Sequence, residues 1–191
     1  MTGGEGVESV RIVGVSGSLR AGSTNRALIR AARDLAPAGV MVEEFDLRHI
    51  PPYDGDVEAA GDPEPVRAFK GAIRGADAIL IATPEYNRGT SGVLKNAIDW
   101  ASRPAIASPL AGKLVGVMGA SAGMRGTASA QEQVRAALAF SRARVLDEPE
   151  VLVPESYAKV ADGRLVDAET REQVAVLVRA LAGASVELKA A

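Results

Sequence analysis

The 191 residues predict a doubly wound α/β domain, in which helices cover both faces of a five-stranded parallel sheet. Three observations carry that prediction. Short apolar, β-branched runs alternate along the chain with stretches whose apolar residues recur at helical spacing. The runs are continuously apolar, as strands buried on both faces are. No internal repeat, low-complexity segment or linker divides the chain, so the alternation belongs to one domain.

Residues 10–15 form the first strand, which stops at Ser16-Gly17-Ser18. Ala27, Leu28, Ala31, Ala32 and Leu35 share one helical face over 25–35, and Pro37 and Gly39 end that helix. A second strand covers 40–45. Residues 47–62, rich in proline and glycine around Tyr53, read as a long loop. A helix over 65–73 opens on Pro65. Residues 76–83 are the clearest buried strand, closed by Pro84. A helix over 93–101, a fourth strand over 113–119 and a helix over 127–139 follow. A fifth strand falls between 144 and 153, and an amphipathic helix over 168–181 closes the domain. Residues 1–9, Gly-rich and acidic without an apolar stretch, read as a flexible tail and not a secretory signal. The domain then occupies 10–185, with 186–191 as a C-terminal tail. Five strands in this arrangement take the flavodoxin-like order 2-1-3-4-5, a three-layer sandwich. Its ligands lie outside the carboxyl ends of strands one and three, where the chain direction reverses. Loops 16–25, 84–91 and 119–127 meet at that edge, and they are the loops richest in Gly, Ser, Thr and Asn.

Composition removes several chemistries. The absence of cysteine excludes disulfides, thiolate nucleophiles, Cys-bound zinc and iron–sulfur clusters, and suits a reducing, cytoplasmic location. The single histidine, His49, sits before Ile50-Pro51-Pro52 and reads as a solvated loop residue. A net charge of −2 indicates no nucleic-acid partner and no attraction to an anionic membrane. No apolar run approaches the ~18 residues of a membrane span.

The first loop, Ser16-Gly17-Ser18-Leu19-Arg20-Ala21-Gly22-Ser23-Thr24-Asn25, has the chemistry of a phosphate site. A phosphate dianion takes short hydroxyl donors, free backbone N–H groups at a helix start and a fixed counter-charge. Ser18, Ser23, Thr24 and Asn25 supply the donors, the glycines let the backbone close in, and Arg20 supplies the charge. Neither a nucleoside-triphosphate loop nor a dinucleotide fingerprint is present. The plain alternative is a strand–helix turn capped by Ser23 or Asn25. The second loop places Tyr86 where a flat aromatic face and backbone N–H groups can meet a heteroaromatic ring.

Ser-Gly-Ser-Leu-Arg followed by Ser-x-Asn, then Pro-Glu-Tyr-Asn and Gly-Val-Leu-Lys-Asn-Ala-Ile-Asp-Trp, resembles the NADPH-dependent FMN reductase family. That flavodoxin-like group includes bacterial quinone, chromate and azo-dye reductases. Gly119-Ala120-Ser121-Ala122-Gly123, with Gly126, Thr127 and Gln131 after it, resembles the family's third flavin-contacting segment. The likeness spans residues 10–155 with three motifs in order. It implies non-covalent FMN held by Ser18, Arg20, Ser23 and Asn25 at the phosphate. Pro84, Glu85, Tyr86 and Asn87 would line the ring, largely through main-chain groups, and Ser121 and Gly123 would close its other side. The chain lacks the prolines often found near Thr90-Ser91 and at Ala122, and Glu132 stands where some members have an aromatic residue.

The resemblance implies an enzyme that takes hydride from NADPH or NADH and passes it to a small acceptor. The acceptor class covers quinones, azo compounds, metal oxyanions and free flavin. No general acid or base is required of the protein, because the cofactor carries the hydride chemistry. Glu85 is expected to face solvent. A homodimer or homotetramer is implied, with Trp100 either anchoring the contact or packing within its own subunit. The rival reading is a flavodoxin-type electron carrier with no substrate of its own. Arg20 and Arg88 in the flavin loops and the small net charge oppose it, since such carriers present acidic faces. A phosphate-ligand or nucleotide-binding regulator on the same fold is the third reading.

Overall fold

The computed structural model describes residues 9–190. The expected tail over 1–9 therefore lies outside the described residues apart from Ser9. Parallel strands β1 (Val10–Ser16), β2 (Val40–Phe45), β3 (Ala78–Thr83) and β4 (Leu114–Ala120) stand in the order β2-β1-β3-β4. Two short strands, β5 (Arg144–Val145) and β6 (Val151–Val153), both pair in parallel with β4 and fill the fifth place. The predicted order is thus observed, with its last strand in two pieces. The interruption is local chemistry: Asp147, Glu148 and Glu150 favour water over a buried ladder, and Pro149 has no N–H to give one.

Strand residues alternate between two cores. Ile12, Leu80 and Met118 pack under α1 (Thr24–Asp34) and α6 (Ala168–Ala190). Val13, Ile79 and Val117 pack under α3 (Glu64–Gly75), α4 (Gly92–Ala101) and α5 (Ala128–Phe140). The register opposes Ser16 to Ala82, Thr83 to Gly119 and Ala120 to Val153, so the carboxyl ends of four strands finish level. That level edge places the three loops side by side.

The segment over 47–62 is more ordered than its composition predicts, and it contains the short helix α2 (Gly55–Ala60). Distant partners hold it. The Trp100 indole N–H and the Asn96 amide both donate to the Pro51 carbonyl at 2.8 Å, and the Tyr53 N–H donates to Asn96 at 2.7 Å. Tyr53 meets the fully buried Trp100 edge-on at 5.0 Å between centroids. The buried Lys70 ammonium binds both oxygens of Asp62 and lies 5.7 Å from the Trp100 ring centre. Of the two roles expected for Trp100, the structure shows packing within its own subunit.

Helix α6 runs beyond the expected end at residue 181 and through most of the expected C-terminal tail, as far as Ala190. Its last turn is held to the amino edge of the sheet by Lys189, which pairs with Asp77 at 3.1 Å. A two-stranded hairpin, β7 (Val160–Ala161) with β8 (Arg164–Leu165), precedes the helix.

Burial acts to raise the Asp77 carboxyl, but the Arg11 N–H and the Lys189 ammonium outweigh it and hold the group below the usual carboxylate range. A carboxylate depressed on folding stabilises the protein above its unfolded pKa, and that contribution is lost as pH falls through the folded value. Asp77→Asn should therefore lower unfolding free energy by about 1 kcal/mol at pH 7. Urea melts of both proteins should converge as pH falls below about 4.

Candidate active site

The first loop is built around a close approach. A Cβ on Gly17 would stand 2.8 Å from Pro84 and 2.9 Å from the Ser91 hydroxyl, so only glycine fits there. The Gly17 N–H donates to the Ala82 carbonyl at 2.9 Å, and Ser91 Oγ donates to the Gly17 carbonyl at 2.6 Å. Ser91 also caps α4 by accepting from the Leu94 N–H. One hydroxyl thus joins the first loop to the second.

Ser23 caps α1, accepting from the Arg26 N–H at 3.3 Å. Ser18 and Ser23 are buried and Arg20 is exposed. The N–H groups of residues 19–22 have no partner among the described residues. The Arg20 guanidinium pairs with no carboxylate there and lies 5.7 Å from the centre of the Tyr157 ring. Tyr157 follows β6 at the same sheet edge and was not among the residues read from sequence. Its position just past the last strand is the one signal of it in the sequence.

Asn25 departs from expectation. Its amide donates to the Ala120 carbonyl and accepts from the Ala120 N–H, both at 2.9 Å. One amide N–H and the amide oxygen are committed to β4, so Asn25 ties the first loop to the third, and its second amide hydrogen and backbone N–H remain for an anion.

In the second loop, Tyr86 and Gly89 exchange backbone hydrogen bonds of 2.9 and 3.0 Å around Asn87 and Arg88. Asn87 at φ 51° and Arg88 at φ 61° give the doubly left-handed geometry of a type I′ turn. Tyr86 is 56% exposed, leaving an aromatic face open at the edge. Glu85 does not face solvent as expected. Its carboxylate accepts from the Ala130 N–H at 3.0 Å, in the first turn of α5. The unpaired N–H groups and dipole of a helix start explain that choice. One turn on, Gln133 accepts from the Thr90 N–H at 3.2 Å.

In the third loop, Gly119 has no room for a Cβ, which would lie 2.1 Å from the Thr127 hydroxyl and 2.5 Å from the Thr83 carbonyl. Ser121 Oγ donates to the Gly126 carbonyl, closing the loop on itself. The segment after β6 is bound to this loop. Ser121 N–H donates to Val153, Ser156 N–H to Ser121 and Glu155 N–H to Gly123. Between the second and third loops lies an open slot of about 400 Å³, lined by Glu85, Asn87, Ser121 and Gly123 among others. Expected ring-lining residues from both loops thus meet in one place. His49, exposed in a short 3₁₀ turn, lies outside the slot lining.

Free N–H groups at the start of α1 and an open slot on the same sheet edge suit a flavin mononucleotide. The family model described as NADPH-dependent FMN reductase matches residues 10–158. The chain belongs to that family. Among curated relatives of the family, an NAD(P)H-dependent FMN reductase of Pseudomonas aeruginosa is 46% identical over 175 residues, covering 91% of this chain and 94% of its own. A 2-hydroxy-1,4-benzoquinone reductase from Burkholderia sp is 40% identical, covering 86% and 90%. The solved structure of FerB, a flavoenzyme NAD(P)H:(acceptor) oxidoreductase from Paracoccus denitrificans, superposes with a TM-score of 0.83. It is 32% identical and covers 93% of this chain and 98% of its own.

The residues present fit the family's cofactor. Unused N–H groups and hydroxyls surround the first loop, its one cation has no carboxylate partner among the described residues, and an open slot of about 400 Å³ lies at the same sheet edge. Arg20→Ala should weaken FMN binding roughly ten- to a hundredfold, the effect of about 1.5–3 kcal/mol from a charge-assisted hydrogen bond. Riboflavin, which lacks the phosphate, should bind the variant and the parent equally. Fluorescence titration of the flavin-free protein reads both, and an equal loss for riboflavin would remove Arg20 from the phosphate.

Proposed function

We propose that the protein is an FMN-dependent oxidoreductase that takes hydride from NADPH or NADH and delivers it to a small acceptor of the quinone class. The observation that carries this reading is the junction of the phosphate cradle at 17–25 with the slot between the second and third loops. The relatives named as quinone and FMN reductases support it. In the net reaction, NAD(P)H and a proton reduce a quinone to its hydroquinone, and NAD(P)⁺ leaves. Azo compounds, metal oxyanions and free flavin remain within the acceptor class.

Bound FMN supplies hydride acceptance and donation. The protein's part is to bind and orient. Arg20, whose guanidinium carbon lies 5.7 Å from the centre of the Tyr157 ring, would meet the phosphate charge. Ser18 and Ser23 offer hydroxyls, and the start of α1 offers N–H groups. The backbone of residues 84–87 would line the ring on one side, and Ser121 and Gly123 would close the other. Glu85 is engaged with α5, so no carboxylate in this loop is left to act as a general base. The two mutual hydrogen bonds between Tyr86 and Gly89 resist a peptide flip in the ring-lining turn, and Pro84 removes one N–H from its start.

That rigidity favours paired electron transfer over the single-electron exchange of a carrier. Dithionite titration of the FMN-loaded protein should pass from oxidised to fully reduced flavin with little half-reduced species. Steady-state kinetics with NAD(P)H and a quinone should be ping-pong. A long-wavelength absorbing species through most of the titration, with negligible oxidation of either nucleotide, would favour the electron-carrier reading.

The protein works as a homodimer or homotetramer in the cytoplasm. No helix among the described residues is long and apolar enough to cross a membrane. Ile106 and Phe140 are 95% and 93% exposed and flank one groove between the ends of α4 and α5. Lys95, Asp99, Arg103 and Arg142 give that groove a rim of both charge signs, which a second copy can meet in two-fold symmetry. Light scattering should give a multiple of 19.7 kDa, and Phe140→Glu with Ile106→Glu should reduce it to one chain. A parent mass of one chain at micromolar concentration would refute the assembly.

A further inference from the structure

Arg88 and Arg125 both line the slot between the second and third loops. Neither guanidinium has an ion pair or hydrogen bond among the described residues. In a chain of net charge −2, two uncommitted cations on one slot are a local arrangement and not the average of the surface. Arg20 is separate from them, at the phosphate cradle and against Tyr157.

The backbone at Arg88 adds an independent observation. Arg88 occupies the second central position of the type I′ turn at φ 61°, where glycine is the favoured residue. A side chain there crowds the neighbouring carbonyl. The turn is held in that shape from outside, because Gln133 accepts from the Thr90 N–H at 3.2 Å and donates to the Arg88 carbonyl at 3.5 Å. The Gln133 amide lies close over Gly89, where a Cβ would stand 2.9 Å from its oxygen and push that side chain aside. The protein thus carries a long cation at a position where glycine would relieve strain, and nothing inside the fold uses that cation. Strain of this kind gathers at ligand clamps.

We infer that Arg88 and Arg125 form the subsite for phosphate groups of the nicotinamide nucleotide, holding them while the nicotinamide ring enters the slot. The inference rests on the reading of this slot as the flavin ring site of a nucleotide oxidase. Guanidinium groups bind phosphate oxygens in paired, charge-assisted hydrogen bonds, and two of them match a pyrophosphate. Such a clamp recognises NADH and NADPH without a dinucleotide fingerprint. The 2′-phosphate, present on NADPH alone, offers the same chemistry from a second position.

The test uses the FMN-loaded protein and Arg88→Gly, Arg88→Lys and Arg125→Ala. KM and kcat are measured for NADPH, NADH and dihydronicotinamide riboside, which has the reacting ring and no phosphate. Calorimetric titration with NAD⁺ and NADP⁺ and thermal melts accompany the kinetics. Arg88→Gly should raise Tm by about 2–4 °C through relief of the turn. It should also raise KM for the nucleotides and Kd for their oxidised forms by about tenfold or more. The loss in kcat/KM should be about tenfold larger on the nucleotides than on the riboside. Arg125→Ala should show the nucleotide loss without the gain in Tm, and Arg88→Lys should recover part of the affinity. Equal loss on NADH and NADPH assigns the subsite to the pyrophosphate, and loss confined to NADPH assigns it to the 2′-phosphate. Nucleotide KM and Kd values within twofold of the parent in Arg88→Gly and Arg125→Ala overturn the subsite, as does an equal loss on the riboside. A parent that holds FMN but oxidises neither nucleotide overturns the proposed function itself, whereas unaffected variants of an active parent overturn the subsite alone.

Discussion

Asn25 sits where the first loop becomes α1, and its amide closes two hydrogen bonds of 2.9 Å on the backbone of Ala120, ninety-five residues away. The Ala120 backbone groups lie at the end of β4, one residue past its last pairing with β3 at Thr83–Gly119, and Asn25 takes up the donor and acceptor there. A buried amide is the side chain that answers one donor and one acceptor together. Losing it would leave buried polar groups without partners, at about 1–3 kcal/mol. The first and third loops are therefore held at one spacing, and the rest of the carboxyl edge is arranged around it. Ser91 joins the second loop to the first through Gly17, and Glu85 and Gln133 join it to α5. The third loop is tied in turn to the segment after β6.

These ties explain why the site can be a slot between loops and still be preformed. Isolated loops would lose backbone freedom on binding a ligand, which weakens it. Here the cost is met on folding, by hydrogen bonds to helices and strands that are themselves buried. Glycine is required where backbones approach within a side chain's reach, at Gly17 and Gly119. Side chains with polar handles bridge the remaining gaps. The same logic extends to the long segment after β2, which Trp100, Asn96 and Lys70 hold beside the sheet.

Charge is distributed to match. The amino edge carries the Asp77–Lys189 pair that fastens the end of α6. The carboxyl edge carries arginines that have no carboxylate partner among the described residues: Arg20 in the first loop, Arg88 and Arg125 at the slot. A net charge of −2 does not show this local arrangement, since it averages over 22 basic and 24 acidic side chains.

The sequence by itself determined the layer order, the strand order 2-1-3-4-5 and the three loops at the carboxyl edge, because apolar period and Gly/Pro punctuation are local properties. It also put Ser18, Ser23 and Arg20 forward for a phosphate, on residue type and position after a strand. Asn25, Glu85 and Tyr157 lay beyond that reach. Asn25 turned to Ala120 and Glu85 to the first turn of α5, partners far away in the chain that no spacing rule connects. Tyr157 came to Arg20 only because β6 ends level with β1 across the sheet. Helix α2 and the break between β5 and β6 were likewise decided by distant packing and by the solvation of a carboxylate cluster. What a residue is made of can be read along the chain, but what it touches was decided only when tertiary structure brought its partner within 3 Å or so.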